Sequence, residues 1–392
     1  MQSTDTATGR HPFSFTGSGG EYFRIWIVNI LLSIVTLYVY SAWAKVRTRR
    51  YFHGNTVLDG SAFEYHARPL QILVGRIVAV ALFAAVTFGG ILHPFAPLVA
   101  SGVLLLVLPW AIWRSTMFNA RMTSHRNVRF GFDGGLGRMY LYVLVLPFLP
   151  LIAAAAVGGM LLATDAGGSA AGGVFALGVV GFYALAPWVH RKLAEYFSDN
   201  HRYGRAAFDA TLSTGRFYAI YLQSFLLAVV VLLVFAGAVI GAAALSGLTL
   251  DGARESLGEV IGDDTEALAG TAILLLYPLL FLVGYFVTAF FRARIRDHLY
   301  ASTVVDGRVR LESTVRTWPL WWLMIGNLLL LVFTLGLAWP WVEVRKARFF
   351  ARNTAAFAPE GLHAVIDDER ARQNALGEEL GDAFDMDMDV GF

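Results

Sequence analysis

Eight stretches of the chain are apolar and nearly free of charge, and polar, basic segments separate them. Residues 77–113, 139–164, 217–250 and 267–291 contain no Asp, Glu, Lys or Arg. A helix needs about 20 apolar residues to cross a bilayer. Backbone in lipid must be hydrogen-bonded within its own segment or around a closed barrel, and runs this long and continuous predict helices rather than barrel strands. The pattern places transmembrane helices at 70–92, 97–118, 139–163, 171–195, 217–245 and 268–298, pairing as three hairpins. Two further apolar segments, 22–43 and 320–348, flank them. Between the helices lie short pieces with β-branched and aromatic content, TVLDGSAFEYH, NVRFGFDGG, YGRAAFDATL and TVVDGRVRLES. TVLDG and TVVDG each carry an Asp-Gly turn after β-branched residues, which predicts short strands or hairpins. GGSAAGG (167–173) reads as a turn between helices.

Composition agrees: of 392 residues, 56% are hydrophobic and only 15% charged, more apolar surface than a soluble domain this size can use. The basic residues are unevenly placed. Lys and Arg cluster in 45–76, 114–138, 191–216, 292–316 and 345–372, whereas the connections near 89–96, 164–170 and 246–268 hold only Arg254. The bias of Lys and Arg toward the cytoplasm puts the basic connections, and both termini, on the cytoplasmic side of the membrane. A fully spanning segment at 320–348 would carry Arg345, Lys346, Arg348 and Arg352 outward, so both flanking segments are expected to re-enter or lie at the interface. Gly336 and Pro340 offer a break in the last one. The expected architecture is therefore an all-α polytopic membrane protein with six transmembrane helices, two re-entrant or interfacial terminal segments and short cytoplasmic β-strands. Residues 1–20 form a cytoplasmic N-terminal segment, 21–355 the membrane domain, and 356–392 an acidic, disordered cytoplasmic tail.

A shift of 298 residues aligns the two ends without a gap: NILLSIVTLYVYSAWAKVRTRRYFHGNT (29–56) falls on NLLLLVFTLGLAWPWVEVRKARFFARNT (327–354). Weaker copies end the three hairpins, so five variants of one unit recur: an apolar helix, a tryptophan, a cation one turn later and an aromatic two turns later. Phenylalanine follows twenty residues after the tryptophan three times, at Phe63, Phe130 and Phe208. Residues four apart share a helix face, and a tryptophan with a cation beyond it suits a headgroup zone. Trp43, Arg47, Arg50, Trp110, Arg114, Trp188, Lys192, Arg294, Trp341, Arg345 and Arg348 are thus candidate contacts to a ligand or to anionic phospholipid headgroups. Asn29, Thr36, Asn327 and Thr334 are polar positions seven apart within apolar helices, placed either to pack helices or to line a passage.

The stretch TGSGGEYFRIWIVNILLSIVTLYVYSAWAKVRTRRYFHGNTVLDGSAFEYH and the closing WWLMIGNLLLLVFTLGLAWPWVEVRKARFF resemble the terminal motifs of the YjgN family of bacterial inner-membrane proteins. The resemblance spans about residues 13–355 and implies a multi-pass inner-membrane protein without implying a substrate. Family members typically read Thr-Leu-Gly then Pro-Trp in both motifs; here Tyr38 and Ala42 stand in the first copy where Gly336 and Pro340 stand in the second.

No catalytic constellation is legible. The nine histidines show no paired metal-ligand spacing, no phosphate loop or nucleophile elbow occurs, and there is no cysteine. The expectation is a non-enzymatic protein without cofactor, metal or nucleic-acid partner. Two functions fit: a transporter or channel-like protein for a small anionic or lipid-like solute, and a lipid-binding or scaffolding protein of the envelope.

Overall fold

The chain's short polar connections are the key to its architecture. In the computed structural model, which describes residues 9–163, 167–245, 265–359, 361–364 and 366–371, they close on themselves as a β-barrel. Among the described residues there are ten strands: β1 Arg10–Phe15, β2 Thr56–Leu58, β3 Ser61–Tyr65, β4 Thr123–His125, β5 Val128–Phe132, β6 His201–Tyr203, β7 Ala206–Ala210, β8 Thr303–Val305, β9 Val309–Ser313 and β10 Thr354–Phe357. Every neighbour pairs antiparallel, and β1 closes the ring against both β2 and β10. This overturns the all-α expectation. Strands of three to six residues carry too few alternations to read as a sheet, and the closing pair joins chain ends more than 340 residues apart.

Tight turns join the strands within each hairpin. Asp59-Gly60 and Arg126-Asn127 both hold left-handed φ at two consecutive positions, the conformation that matches strand twist in two-residue hairpins. At the opposite rim the chain leaves the barrel after β1, β3, β5, β7 and β9 and returns to the adjacent strand each time. The exit and return residues are register partners: Phe15 with Thr56, Tyr65 with Thr123, Phe132 with His201, Ala210 with Thr303, Ser313 with Thr354. All five excursions therefore begin and end at one rim. Five equivalent hydrogen bonds seal it, with the N–H of Thr16, His66, Asp133, Thr211 and Thr314 donating to the carbonyls of Asn55, Met122, Asn200, Ser302 and Asn353 at 2.8–3.1 Å.

The excursions hold the helices. The second carries α3 (Pro69–Leu92) and α4 (Ala96–Arg121), the third α5 (Leu136–Leu162) and α6 (Gly167–Asp199), the fourth α7 (Thr214–Leu245) and α8 (Thr265–Ala301). Among the described residues five helices are apolar and long enough to cross a membrane: Pro69–Ile91, Ala96–Arg121, Leu136–Leu162, Gly168–Asp199 and Thr214–Val234. The sixth expected span falls in α8, whose first half lies among residues with undescribed side chains. Residues 167–173, expected as a turn, are helical from Gly167.

The first excursion is α1 (Gly19–Val35) and α2 (Ser41–Gly54); the last is α9 (Thr317–Phe333) and α10 (Trp339–Arg352). A capping box, Ser18 with Glu21, starts α1. Both excursions break in the same way. Leu37 and Tyr38 take φ of 48° and 73°, and Leu335 and Gly336 take 50° and 86°. The N–H of Tyr38 donates to the Ser33 carbonyl and that of Gly336 to the Leu331 carbonyl, which is the Schellman ending. Tyr38 accepts a left-handed backbone that its counterpart fills with glycine.

By chain contacts the protein divides into two units, one of Met1–Thr214, His298–Thr314 and Leu337–Phe392, the other of Gly215–Asp297 and Val315–Gly336. The barrel belongs wholly to the first. In it α1 packs on α10: the ring of Trp341 lies against Gly19, where an added Cβ would stand 2.3 Å from the indole.

The tail differs from its expectation. Residues 354–357 form β10, and the helical stretch within 362–371 buries Leu362, Ile366 and Glu369 at the turn rim of the barrel. The apolar side chains at 362 and 366 are one helical turn apart, so an acidic segment still presents one apolar stripe. Residues 372–392 lie outside the described residues.

Candidate functional site

The helix-side mouth of the barrel holds a cavity of about 550 Å³ lined by Phe13, Phe52, His53, Thr56, Phe63, Thr116, Asn119, Ala120, Thr123, Phe130 and His201. Its floor comes from Phe13, Phe63 and Phe130, part of a layer that the odd strands supply. Phe13, Phe63, Phe130, Phe208 and Leu311, one from each, pack on the buried core of Leu58, Val128, Tyr203, Val305 and Ala356. Phe63 stacks between Phe13 and Phe130 at centroid distances of 6.1 and 6.2 Å. Burial pushes the Tyr203 hydroxyl up to about 12, and it donates to the His125 carbonyl at 3.0 Å. Below this layer Leu362 and Ile366 complete the same core, so the lumen is filled from the floor of the cavity to the far rim.

Helix ends set the polar part of the wall. At the return of four excursions a hydroxyl caps its own helix by donating to the carbonyl four residues back: Thr56 to Phe52, Thr123 to Asn119, Thr303 to Leu299 and Thr354 to Phe350. His201 makes the equivalent contact to the Phe197 carbonyl through Nδ1, and His53 bonds the Arg49 carbonyl through Nδ1 at 2.8 Å. A ring nitrogen facing a carbonyl carries the proton, so in the neutral imidazole Nε2 is an acceptor. Burial holds the His53 pKa below its ordinary value, outweighing the raising effect of the Arg49 carbonyl, and the adjacent Arg49 guanidinium lowers it further. None of the residues that line the cavity is Lys, Arg, Asp or Glu. The cavity thus offers aromatic faces, hydroxyls, an amide and two imidazole acceptors.

The Trp–cation stripe is distributed otherwise. Arg47, Arg114, Arg294 and Arg345 are exposed, as are Trp110 and Trp341, while Trp43 and Trp188 are half-buried. Trp43 stacks on Tyr40, and Arg294 lies over its own Phe290. Lys192 pairs with Glu195 at 3.1 Å. Arg50 and Arg348 tie helix to barrel: Arg50 donates to the carbonyls of Tyr65 and Ala67, and Arg348 to that of Gly17 at 2.9 Å. None of the eleven stripe residues lines the barrel-mouth cavity.

Thr36 and Thr334 occupy the C-caps of α1 and α9, their hydroxyls donating to the carbonyls of Leu32 and Leu330. Asn29 and Asn327 are each 5% exposed, and each keeps an amide oxygen without a partner among the described residues. Asn29 lines a second cavity, of about 600 Å³, between α1, α2 and α3. Sequence reasoning had marked Phe63, Phe130 and Phe208 by their spacing but assigned them no role, and it missed His53, Asn119 and His201. The signal for these was present in the helix-end alignment, where each falls within two turns of a repeated Asn or Thr.

At the turn rim the tail touches the hairpin turns by polar contacts. His363 meets Asp59 at 3.1 Å and Arg126 at 2.9 Å, Arg308 meets Asp368 at 2.9 Å, and the Arg205 N–H donates to Glu369 at 2.6 Å. No group of three or more His, Asp or Glu able to hold a metal is found among the described residues.

Comparison with known proteins identifies the family. A family model described as a bacterial protein of unknown function, DUF898, matches residues 10–383. Inner membrane protein YjgN of Salmonella typhimurium is 27% identical over 382 residues, covering 93% of each chain. The proteins of that name from Escherichia coli O157:H7 and K12 are 25% and 26% identical, each covering 88% of both chains. No solved structure matches. The match begins at the first residue of β1 and runs beyond β10, so it takes in the whole barrel together with its inserted helices: the chain belongs to the DUF898 family, that of the YjgN inner-membrane proteins.

Proposed function

We propose that this protein is a non-enzymatic carrier for an uncharged or lipid-like amphiphile, which it takes up at the barrel mouth from the membrane side. The observation that supports this is the shape of the barrel: open at the rim where the helices leave, aromatic-walled, and filled from the five-membered apolar ring down to the tail. A solute in this cavity must enter and leave among the helices. A water-filled pore along the barrel axis does not fit a lumen packed with Phe, Val and Tyr side chains. The Lys and Arg bias of the connections supports a barrel on the cytoplasmic side with both termini there.

The exposed Trp110, Trp341, Arg114 and Arg345 favour a second reading, anchorage in headgroups by a scaffolding protein. One assay separates the two. Native mass spectrometry of the protein purified in mild detergent should detect a retained small amphiphile, and Thr116→Phe, which fills the cavity, should abolish its retention. Equal retention in both proteins, or none in either, would count against the carrier and leave anchorage.

A further inference from the structure

The cavity between α1, α2 and α3 has a chemistry quite unlike that of the barrel mouth. Lys45 and Arg76 line it, and no carboxylate does. Among the described residues three of its polar atoms are buried and unpartnered: Nη1 of Arg76, Oγ of Ser41 and Oδ1 of Asn29. Ser41 and Asn29 are each only 5% exposed, so neither atom is satisfied by bulk solvent. An unpaired buried donor or acceptor costs about 1–3 kcal/mol, more when charged, and the fold keeps three such groups around one space. Burial, then the Arg49 and Arg76 guanidinium groups, push the Lys45 ammonium pKa down, which marks a site with surplus positive charge. The remaining wall is apolar: Trp26, Ile30, Ile34, Leu37 and Tyr38.

The repeat shows that the fold does not require Lys45 or Ser41 at these positions. Lys45 corresponds to Glu343 in the last copy, where that carboxylate pairs with Lys346 at 2.7 Å, and Ser41 corresponds to Trp339. Asn29 recurs as Asn327 in the last copy, whereas the ammonium of Lys45 belongs to the first alone.

We infer that this cavity binds the phosphate ester of an anionic membrane lipid. Lys45 and Arg76 contact the phosphate oxygens, Ser41 donates to it, and the Asn29 amide oxygen accepts from a hydroxyl of the headgroup. The acyl chains leave along Trp26, Ile34 and Leu37. Leu37 is 89% exposed at the tip of the helix break, where bilayer covers it. The site is separate from the barrel mouth and independent of what binds there.

The test uses the full chain, delipidated in neutral detergent and titrated with phosphatidylglycerol by native mass spectrometry, with phosphatidylcholine and inorganic phosphate as competitors. One saturable phosphatidylglycerol site is expected, insensitive to phosphatidylcholine and to inorganic phosphate. Displacement by inorganic phosphate would assign the same pocket to a soluble phosphate ester. Lys45→Glu with Arg76→Gln should weaken binding by about tenfold or more. Lys45→Glu installs the side chain that the last copy already folds with. Thr116→Phe, which addresses the barrel mouth, should leave this affinity unchanged. Equal affinity of wild type and double variant, with both monodisperse and equally helical, would overturn the assignment.

Discussion

Gly204 is the point at which the tail's grip on the barrel is most open to measurement. It takes φ +62°, and a Cβ built there would stand 2.5 Å from Oε2 of Glu369 and 3.1 Å from Cγ1 of Val128. Gly204→Ala therefore has two costs. Holding a residue with a Cβ in the left-handed region costs about 1–2 kcal/mol, borne by the β6–β7 turn. Moving the Glu369 carboxylate, which is fully buried, breaks its 2.6 Å bond from the Arg205 N–H. A hydrogen bond to a charged acceptor is worth about 1.5–3 kcal/mol, and this loss falls on the docking of the tail. At 1.4 kcal/mol per factor of ten, tail opening should rise by about 10- to 100-fold. Hydrogen exchange of the 361–371 peptide and of the Arg205 amide should accelerate by that factor, and trypsin should cut at exposed Arg370 sooner. Unchanged exchange at both places would refute the reading of the tail as a docked plug.

Burial lowers the His125 pKa below its ordinary 6.5, outweighing the raising effects of the Leu58 and Ser61 carbonyls. The unfolded state then binds the proton more readily, so stability is fully present above about pH 6.5 and declines below it. Thermal unfolding in detergent between pH 8 and 5 should show that decline, and His125→Gln should make it shallower. Arg50→Ala removes two bonds to backbone carbonyls and, being partly exposed, should cost about 1 kcal/mol, whereas Arg47→Ala should stay within about 0.5 kcal/mol; denaturant midpoints compare them. Asp367→Cys places a thiol at an exposed position of the docked tail in a chain with no other cysteine. An impermeant maleimide should label it only after the membrane is opened; labelling of intact cells would place the barrel outside.

Much of this architecture can be read from the sequence, and the parts that cannot share one physical cause. The helices announce themselves because lipid demands long apolar runs, and the terminal breaks through Gly336 and the charge bias. The repeat at 29–56 and 327–354 anticipates two helical excursions of the same kind, and both carry the same Schellman ending. Asp59-Gly60 and Asp306-Gly307 mark real hairpin turns. The barrel does not announce itself, because its strands are three to six residues long, and the hairpins join one another only across excursions of some forty to ninety residues and through the two ends of the chain. The Trp–cation stripe was conspicuous, yet the residues that meet around a common opening are His53, Phe63, Phe130 and His201, none of them among the stripe's tryptophans and cations. Local pattern shows what a helix end looks like; only closure decides which side chains it turns inward.

Closure is therefore the claim to test. Gly9 accepts from the Ala358 N–H at 2.8 Å, which makes Arg10 and Phe357 the next, non-hydrogen-bonded pair of the β1–β10 ladder. Cα atoms in such pairs stand about 4.5 Å apart, within the span of a disulfide. Arg10→Cys with Phe357→Cys, in a chain free of native cysteine, should form an intramolecular disulfide on mild oxidation of membranes. The product would run faster than the reduced protein on a non-reducing gel. Two freely alkylated thiols and no cross-link would contradict a barrel closed by the two ends of the chain.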